Sequence, residues 1–169
     1  MRQFWQHHER RVEQRPRAGT HLRVRSNRMI RADASQMSLL HCAQGAKWRH
    51  LDGVRYSSGN DAEEPIALVG IYVNEQYSRL AGLSKTLDTP VYTMIEEQYG
   101  LKVTRVEQQI QGLLIEGAAA DTLQVPDGSA GLRIVRTYFV RDQVIEATTG
   151  VHPADRFSYS MSFRLAQSA

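Results

Sequence analysis

The sequence predicts an α+β fold, a mostly antiparallel sheet with helices on one face, and three observations predict it. Two β-rich runs, Leu132–Val140 and Val144–Val151, are separated only by Arg141-Asp142-Gln143, the spacing of a hairpin. Earlier strand candidates at Trp48–Tyr56, Ile66–Val73 and Val103–Gln111 alternate with helical stretches over short links. At the end, Phe157, Tyr159, Met161, Phe163 and Leu165 alternate with Ser158, Ser160, Ser162 and Arg164. That period of two is the mark of a strand with one face in a core and the other in water.

Taken in order, residues 1–31 show little apolar periodicity. A short helix is expected around Phe4 and Trp5. Two extended pieces flanking Arg15–Thr20 are expected to pair as a small hairpin, with Gly19 giving the freedom in φ that a tight tip needs. Ala34–Cys42 is expected to be a short helix capped by Asp33. The turn-rich stretch Ser57–Asp61 divides the strands Trp48–Tyr56 and Ile66–Val73. Thr89-Pro90 is a helix start: a capping hydroxyl, then a proline where a missing N–H costs nothing. Val91, Met94, Ile95 and Tyr99 continue at helical spacing, and Gly100 is the stop. Glu116–Leu123 reads as a short alanine-rich helix, followed by a turn at Pro126-Asp127-Gly128.

The 169 residues suffice for one compact domain and a short appendage. Cys42 is the only cysteine, which excludes an intrachain disulfide and fits a reducing cytoplasm. No apolar run approaches the roughly 20 residues that span a bilayer, and Met1–Arg11 lacks the apolar core of a secretory signal. A cytoplasmic chain with no membrane partner is expected. The net charge of +3 is unevenly spread: residues 1–31 hold nine arginines against Glu9 and Glu13, or 9 − 2 = +7. Residues 32–169 hold 12 basic and 16 acidic side chains, or 12 − 16 = −4. The chain thus divides into a basic arm, 1–31, and a mildly acidic domain, 32–169. The arm is suited to a polyanion such as DNA; a merely solvated arginine-rich tail is the alternative.

Most enzyme signatures are missing. There is no glycine-rich phosphate loop, no G-x-S-x-G elbow and no pair of cysteines. His7, His8, His21, His41, His50 and His152 are not spaced to bring two imidazoles onto one helix face, so neither a metal nor a cofactor is expected. His41 and Cys42 are neighbours in sequence, and adjacent helical residues point apart. The terminal hairpin is more informative. With residues 141–143 as its loop, Val140 faces Val144, Tyr138 faces Glu146 and Arg136 faces Thr148. The four polar groups then share one face, a cluster suited to an anionic or hydroxylated small ligand. A partly buried Arg136–Glu146 ion pair that only orders the sheet is the alternative.

Two stretches carry a family resemblance. Val12–Thr20 resembles the wing that closes the winged helix-turn-helix domain of GntR-family regulators. The run from Trp48 onward resembles the UTRA domain, the effector-binding domain of the HutC-type branch. It rests on Gly53-Val54-Arg55-Tyr56, on Pro90-Val91-Tyr92 and on Ile95–Gly100. Ile134-Val135-Arg136, Ile145-Glu146 and His152–Phe157 continue it in order over roughly 120 residues.

The resemblance implies the chorismate lyase-like fold and a non-enzymatic, ligand-sensing homodimer. By position, Arg55 matches a strand arginine that holds an anionic group of the effector. Tyr92 matches a pocket tyrosine, Glu146 a pocket glutamate, and His152 takes the place of another tyrosine. Arginine suits carboxylate or phosphate through bidentate hydrogen bonds. Two departures bear on the ligand. Gly53 stands where amino-sugar-phosphate sensors carry a second arginine, and Val69 stands where they carry a glutamate. A carboxylate or aromatic acid is therefore expected rather than a phosphorylated amino sugar.

In the wing, Arg15, Arg17 and Gly19 are the expected DNA contacts, to phosphates or the minor groove. A complete regulator would place roughly 65 more residues before the wing, with the recognition helix among them. Without that helix, DNA binding by this chain alone is expected to be weak at most. The expected function is a regulatory domain that binds a small anionic metabolite and modulates DNA binding by the full-length regulator. The alternatives are a chorismate lyase-like enzyme with Glu146 as acid, and a truncated regulator that pairs with intact relatives.

Overall fold

The computed structural model describes residues 19–58, 63–83 and 85–160. Among these described residues seven strands form one sheet: β1 (Thr20–Arg31), β2 (Lys47–Ser58), β3 (Glu63–Asn74), β4 (Thr86–Leu87), β5 (Arg105–Ile115), β6 (Ser129–Val140) and β7 (Gln143–Pro153). Their order is β4-β1-β2-β3-β7-β6-β5, with every pairing antiparallel. Among the described residues three short α-helices accompany them: α1 (Met37–Leu40), α2 (Val91–Tyr99) and α3 (Ala118–Leu123). The expected α+β class and antiparallel sheet are observed. Among the described residues no helix is long and apolar enough to cross a membrane.

The helices differ from expectation in placement, because they lie on both faces. Consecutive strand residues point to opposite faces. Ile71 and Val73 pack with Val91 and Ile95 of α2, whereas Tyr72 between them packs in the cluster of Leu40, Trp48 and Ala147. Helix α2 therefore covers one face and α1 the other. Both are needed because the central strands are apolar on both sides, and each face must be kept from water.

The helix at Val91 begins one residue later than the Thr89-Pro90 signal implied. Pro90 is the N-cap, with ψ of 138° and no side-chain cap. Its proline ring fixes φ, and the helix turns only at Val91. Burial of Val91 and Ile95 holds the helix to the sheet, about 1.5–3 kcal/mol for each side chain. Gly100 ends it at φ 63°, where it donates its N–H to the Glu96 carbonyl, in the left-handed region that glycine enters without strain.

Four further expectations are corrected. The segment Ala34–Cys42 is helical only over Met37–Leu40, because Asp33 spends its side chain on a turn, accepting from the backbone N–H of Ser35 and of Gln36. His41 is the left-handed C-cap, so His41 and Cys42 lie past the helix. The expected arm 1–31 divides: Thr20–Arg31 is a full strand paired along β2, so the sheet starts well before residue 32. Residues 1–18, including the expected helix at Phe4 and Trp5 and half of the expected hairpin, lie outside the described residues. Finally, Phe157–Ser160 is not a strand, and the rest of that expected strand, residues 161–165, lies outside the described residues. Arg156, just before Phe157, ties this segment to the carbonyls of Pro65 and Leu123 instead.

Candidate functional site

A cavity of about 440 Å³ lies between the α2 face of the sheet and the segment Leu87–Tyr92. Arg55, Tyr92, Arg136, Tyr138, Glu146, Thr148 and His152, the seven residues singled out in the sequence, all line it. Their placement follows from the pleat. Arg136 pairs with Thr148 and Tyr138 with Glu146, so the four stand on one face in two adjacent rows. His152 lies further along β7 on the same face, six residues from Glu146, roughly 20 Å of strand. The site is thus a trough along β7, with Glu146 toward one end and His152 toward the other.

The expected three-residue loop is corrected, because Val140 pairs with Gln143, not Val144, and Phe139 pairs with Val144. The turn is the two residues Arg141-Asp142, with Arg141 at φ 55°. A bulge at Ile145 then restores the Tyr138–Glu146 pairing. The count of loop residues was wrong by one and the bulge cancelled it.

Two arginines supply positive charge. The Arg55 guanidinium donates to Thr20 Oγ1 at 3.4 Å, and among the described residues no carboxylate lies within ion-pair distance of it. Burial holds the Arg55 pKa below its ordinary value, the field of Asp88 opposes that shift, and the field of Arg136 adds to it. Arg136 Nε donates to Gln108 Oε1 at 2.7 Å, a neutral partner on β5. The alternative of an Arg136–Glu146 ion pair is not realised: among the described residues Glu146 pairs with no cation, and its Oε2 has no hydrogen-bond partner. Burial pushes the Glu146 carboxyl up to about 8, so it is mostly uncharged at neutral pH. Burial likewise raises the Tyr138 hydroxyl, with Glu146 adding to the shift. With Glu146 neutral, Arg55 and Arg136 outweigh Asp88, and the cavity is net positive.

Aromatic rings close the walls. Tyr92 stacks on Tyr138 with centroids 4.6 Å apart and planes 14° apart, an offset contact worth about 0.5–1.5 kcal/mol beyond its burial. The His152 ring lies 4.4 Å from that of Phe157. It also lies over Gly150, where an added Cβ would be 2.7 Å from His152 Nε2. Gly53 is equally constrained: an added Cβ there would be 2.4 Å from the Arg23 carbonyl oxygen. The strand backbones approach too closely for any side chain at that position. Val69 lines the cavity as an apolar wall.

Sequence reading missed Thr20, Asp88 and Phe157 as cavity residues. Thr20 lies in the arginine-rich stretch, Asp88 carries no motif, and Phe157 stands in an alternating run that reads as a strand. Arg156 carries no expected role in the sequence. Its guanidinium donates to the carbonyls of Pro65, Leu123 and Gln124 and pairs with Glu64 at 3.0 Å, tying β3, α3 and the segment after β7 together beside Phe157. Of the expected DNA contacts, Arg15 and Arg17 lie outside the described residues, and Gly19 adopts φ 85°. Among the described residues no group of three or more His, Cys, Asp or Glu is placed to hold a metal.

The family model of the UTRA domain matches residues 17–158. The ligand-binding domain of a GntR-family transcriptional regulator from Bordetella bronchiseptica is similar at 21% identity and a TM-score of 0.71, over 90% of this chain and 94% of that one. The C-terminal domain of the histidine utilization repressor from Pseudomonas syringae is similar at 22% identity and a TM-score of 0.69, over 86% and 99%. PhnF from Mycobacterium smegmatis is similar at 17% and 0.73, over 87% of this chain and 64% of that one. At these identities the likeness is one of fold. No curated protein matches the chain.

Proposed function

Because the chain belongs to the UTRA domain family, we propose that it is the effector-binding part of a GntR-type transcription regulator acting in the cytoplasm. Its ligand is a small anionic metabolite, held in the cavity by Arg55 and Arg136 and flanked by Tyr92, Tyr138, Glu146, Thr148 and His152. One observation carries this reading: two half-buried arginines without carboxylate partners line one cavity with a neutral glutamate. Buried cations are normally paired, and a bound anion supplies the missing partner. The blocked space at Gly53 and the apolar Val69 favour a carboxylate over a phosphorylated amino sugar.

The protein acts as a homodimer through its sheet. Support comes from edge strand β5, where Val106, Ile110 and Leu114 are 40%, 38% and 63% exposed. Val106 and Ile110 pair with Tyr138 and Ile134, so this stripe shares the face of the cavity. Gln108, between them, holds Arg136. A ligand that draws on Arg136 would therefore be felt at the dimer surface, and through it by the DNA-binding heads of the full-length regulator. In that regulator Arg15, Arg17 and Gly19 belong to the DNA-contacting wing.

A thermal-shift screen of metabolites tests the assignment. Anionic compounds, carboxylates foremost, are expected to dominate the hits, and Arg55→Ala is expected to lose them. Hits that are cationic, or indifferent to Arg55→Ala, would remove this site from the account. A carboxyl kept protonated at neutral pH is also what a general acid needs, so the enzyme reading has one observation in its favour. Turnover of chorismate to 4-hydroxybenzoate discriminates, and none is expected.

A further inference from the structure

Arg55 is held in the cavity by the residue at which β1 begins. Thr20 accepts a hydrogen bond from the Arg55 guanidinium at 3.4 Å and lines the cavity beside it. The register explains the contact. Thr20 pairs with Ser57 and Leu22 with Arg55, so Thr20 and Arg55 are diagonal neighbours on one sheet face, a separation that a long side chain bridges. A neutral hydroxyl at this distance is a weak partner for a guanidinium. A carboxylate forms shorter, charge-assisted bonds, bidentate and roughly twice as strong. The other face of the same strand end is fastened separately, because His21 and Arg23 alternate with Thr20 and Leu22. Glu63 accepts from Arg23 at 2.7 Å and lies 3.2 Å from His21 Nε2, and both side chains lie against the Tyr56 ring. Among the described residues β4 pairs only with Leu22 and Arg23, so Thr20 and His21 depend on β2 and on these side-chain anchors. Just before Thr20, Gly19 adopts φ 85°, and the basic residues 1–18 precede it.

Resting on the ligand-binding reading above, we infer that Thr20 is a positioning residue that competes with the ligand for Arg55 and thereby couples the cavity to the start of β1. Before an anion binds, the hydroxyl holds the guanidinium, and the guanidinium in turn holds the strand end. An anion that takes Arg55 into its own hydrogen bonds strips Thr20 of this contact and loosens the strand end on the cavity face. The Glu63 anchor on the opposite face is untouched. Linkage makes the effect reciprocal: whatever frees Arg55 from Thr20 favours the anion. The coupling needs no contact between Thr20 and the ligand. The residues it reaches are those that lead directly into the basic arm.

Hydrogen exchange of the peptide spanning residues 19–24, measured on the whole chain, tests the anchor without any ligand. Thr20→Val and Arg55→Met are each expected to speed exchange there about threefold, and the double variant no further. Thr20→Ser is expected to restore the parent rate. An Arg55→Met protein with the parent rate, or effects that multiply in the double variant, would overturn the anchor. Calorimetry with benzoate and 3-phenylpropanoate tests the competition. Thr20→Val is expected to bind these carboxylates about threefold tighter than the parent. Glu63→Gln, which loosens the same strand end from the other face, is expected to bind them as the parent does. Saturating carboxylate is expected to speed exchange of the 19–24 peptide in the parent and to leave it unchanged in Thr20→Val. Equal or weaker binding by Thr20→Val would reduce Thr20 to a structural contact and overturn the inference, while loss of binding in Arg55→Met would leave the anion site standing. Failure of both carboxylates to bind the parent would overturn the ligand-binding reading and the competition with it.

Discussion

Tyr138 and Glu146 face each other across β6 and β7, although the next pair toward the turn, Phe139 and Val144, is out of step with them by one residue. The extra residue is Ile145. A two-residue turn without a bulge would set Tyr138 against Ile145 and send Glu146 to the opposite face, beside Val144 and Phe139. One irregularity in β7 thus places the carboxyl in the cavity. The same irregularity lets Ile145 itself pack on the α2 side.

That burial has a consequence for stability. The Glu146 carboxyl is raised from 4.5 to about 8 in the folded protein. A raised carboxyl contributes stability that is complete below its unfolded pKa and is lost as pH rises through the folded one. The ligand-free protein is therefore expected to lose stability from about pH 4.5 to about pH 8, by up to ~1.4 kcal/mol per pH unit from this group. Urea midpoints across that range should fall in the parent and fall less in Glu146→Gln. Parallel curves would contradict the prediction.

Gly53 tests how tightly β1 and β2 approach. Gly53→Ala puts a methyl 2.4 Å from a backbone oxygen that cannot swing away, and a loss of about 1–3 kcal/mol is expected. Thermal or urea denaturation reads it directly. A neutral result would mean that β1 shifts freely, and the steric argument against an arginine at this position would fall with it.

Arg156 should matter far more than an exposed cation. Arg156→Ala strips hydrogen bonds from three carbonyls and is expected to cost about 1–3 kcal/mol. Lys102→Ala removes a pair whose lysine is 82% exposed and should leave the melting temperature almost unchanged. The loss of Arg156 is also expected to weaken ligand binding, since it anchors the segment that holds Phe157 at the cavity.

The edge strand supplies the fourth prediction. Leu114→Glu combined with Ile110→Lys places charges in the exposed stripe of β5. Light scattering after size exclusion is expected to change from a dimer to a monomer, with the circular dichroism spectrum retained. A dimer that survives both substitutions would place the interface elsewhere.

Much of this site was legible because a sheet has a period of two. Once Tyr138 and Glu146 were assigned to one hairpin, Arg136 and Thr148 had to share their face. The resemblance added His152 further along the same strand, and Arg55 and Tyr92 from another strand and a helix, which spacing could not supply. What stayed hidden has physical reasons. β1 reads as a charged arm because its arginines at 23, 25, 28 and 31 interrupt the apolar positions, and only Leu22 is fully buried in it. Among the described residues, most of β1 has β2 on one side and no strand on the other, β4 covering only Leu22 and Arg23. A two-residue strand such as Thr86–Leu87 leaves no pattern at all. Phe157 and Tyr159 look like strand residues, but alternation cannot reveal that Arg156 fixes this segment to the carbonyls of Pro65, Leu123 and Gln124.

The most direct measurement is a crystal structure of the protein with the tightest anionic hit from the screen. The anionic group is expected between the guanidinium groups of Arg55 and Arg136, with the body of the ligand against Tyr92 and in the trough above β7. An anion bound on the outer surface, or in the cavity but turned away from both arginines, would contradict it.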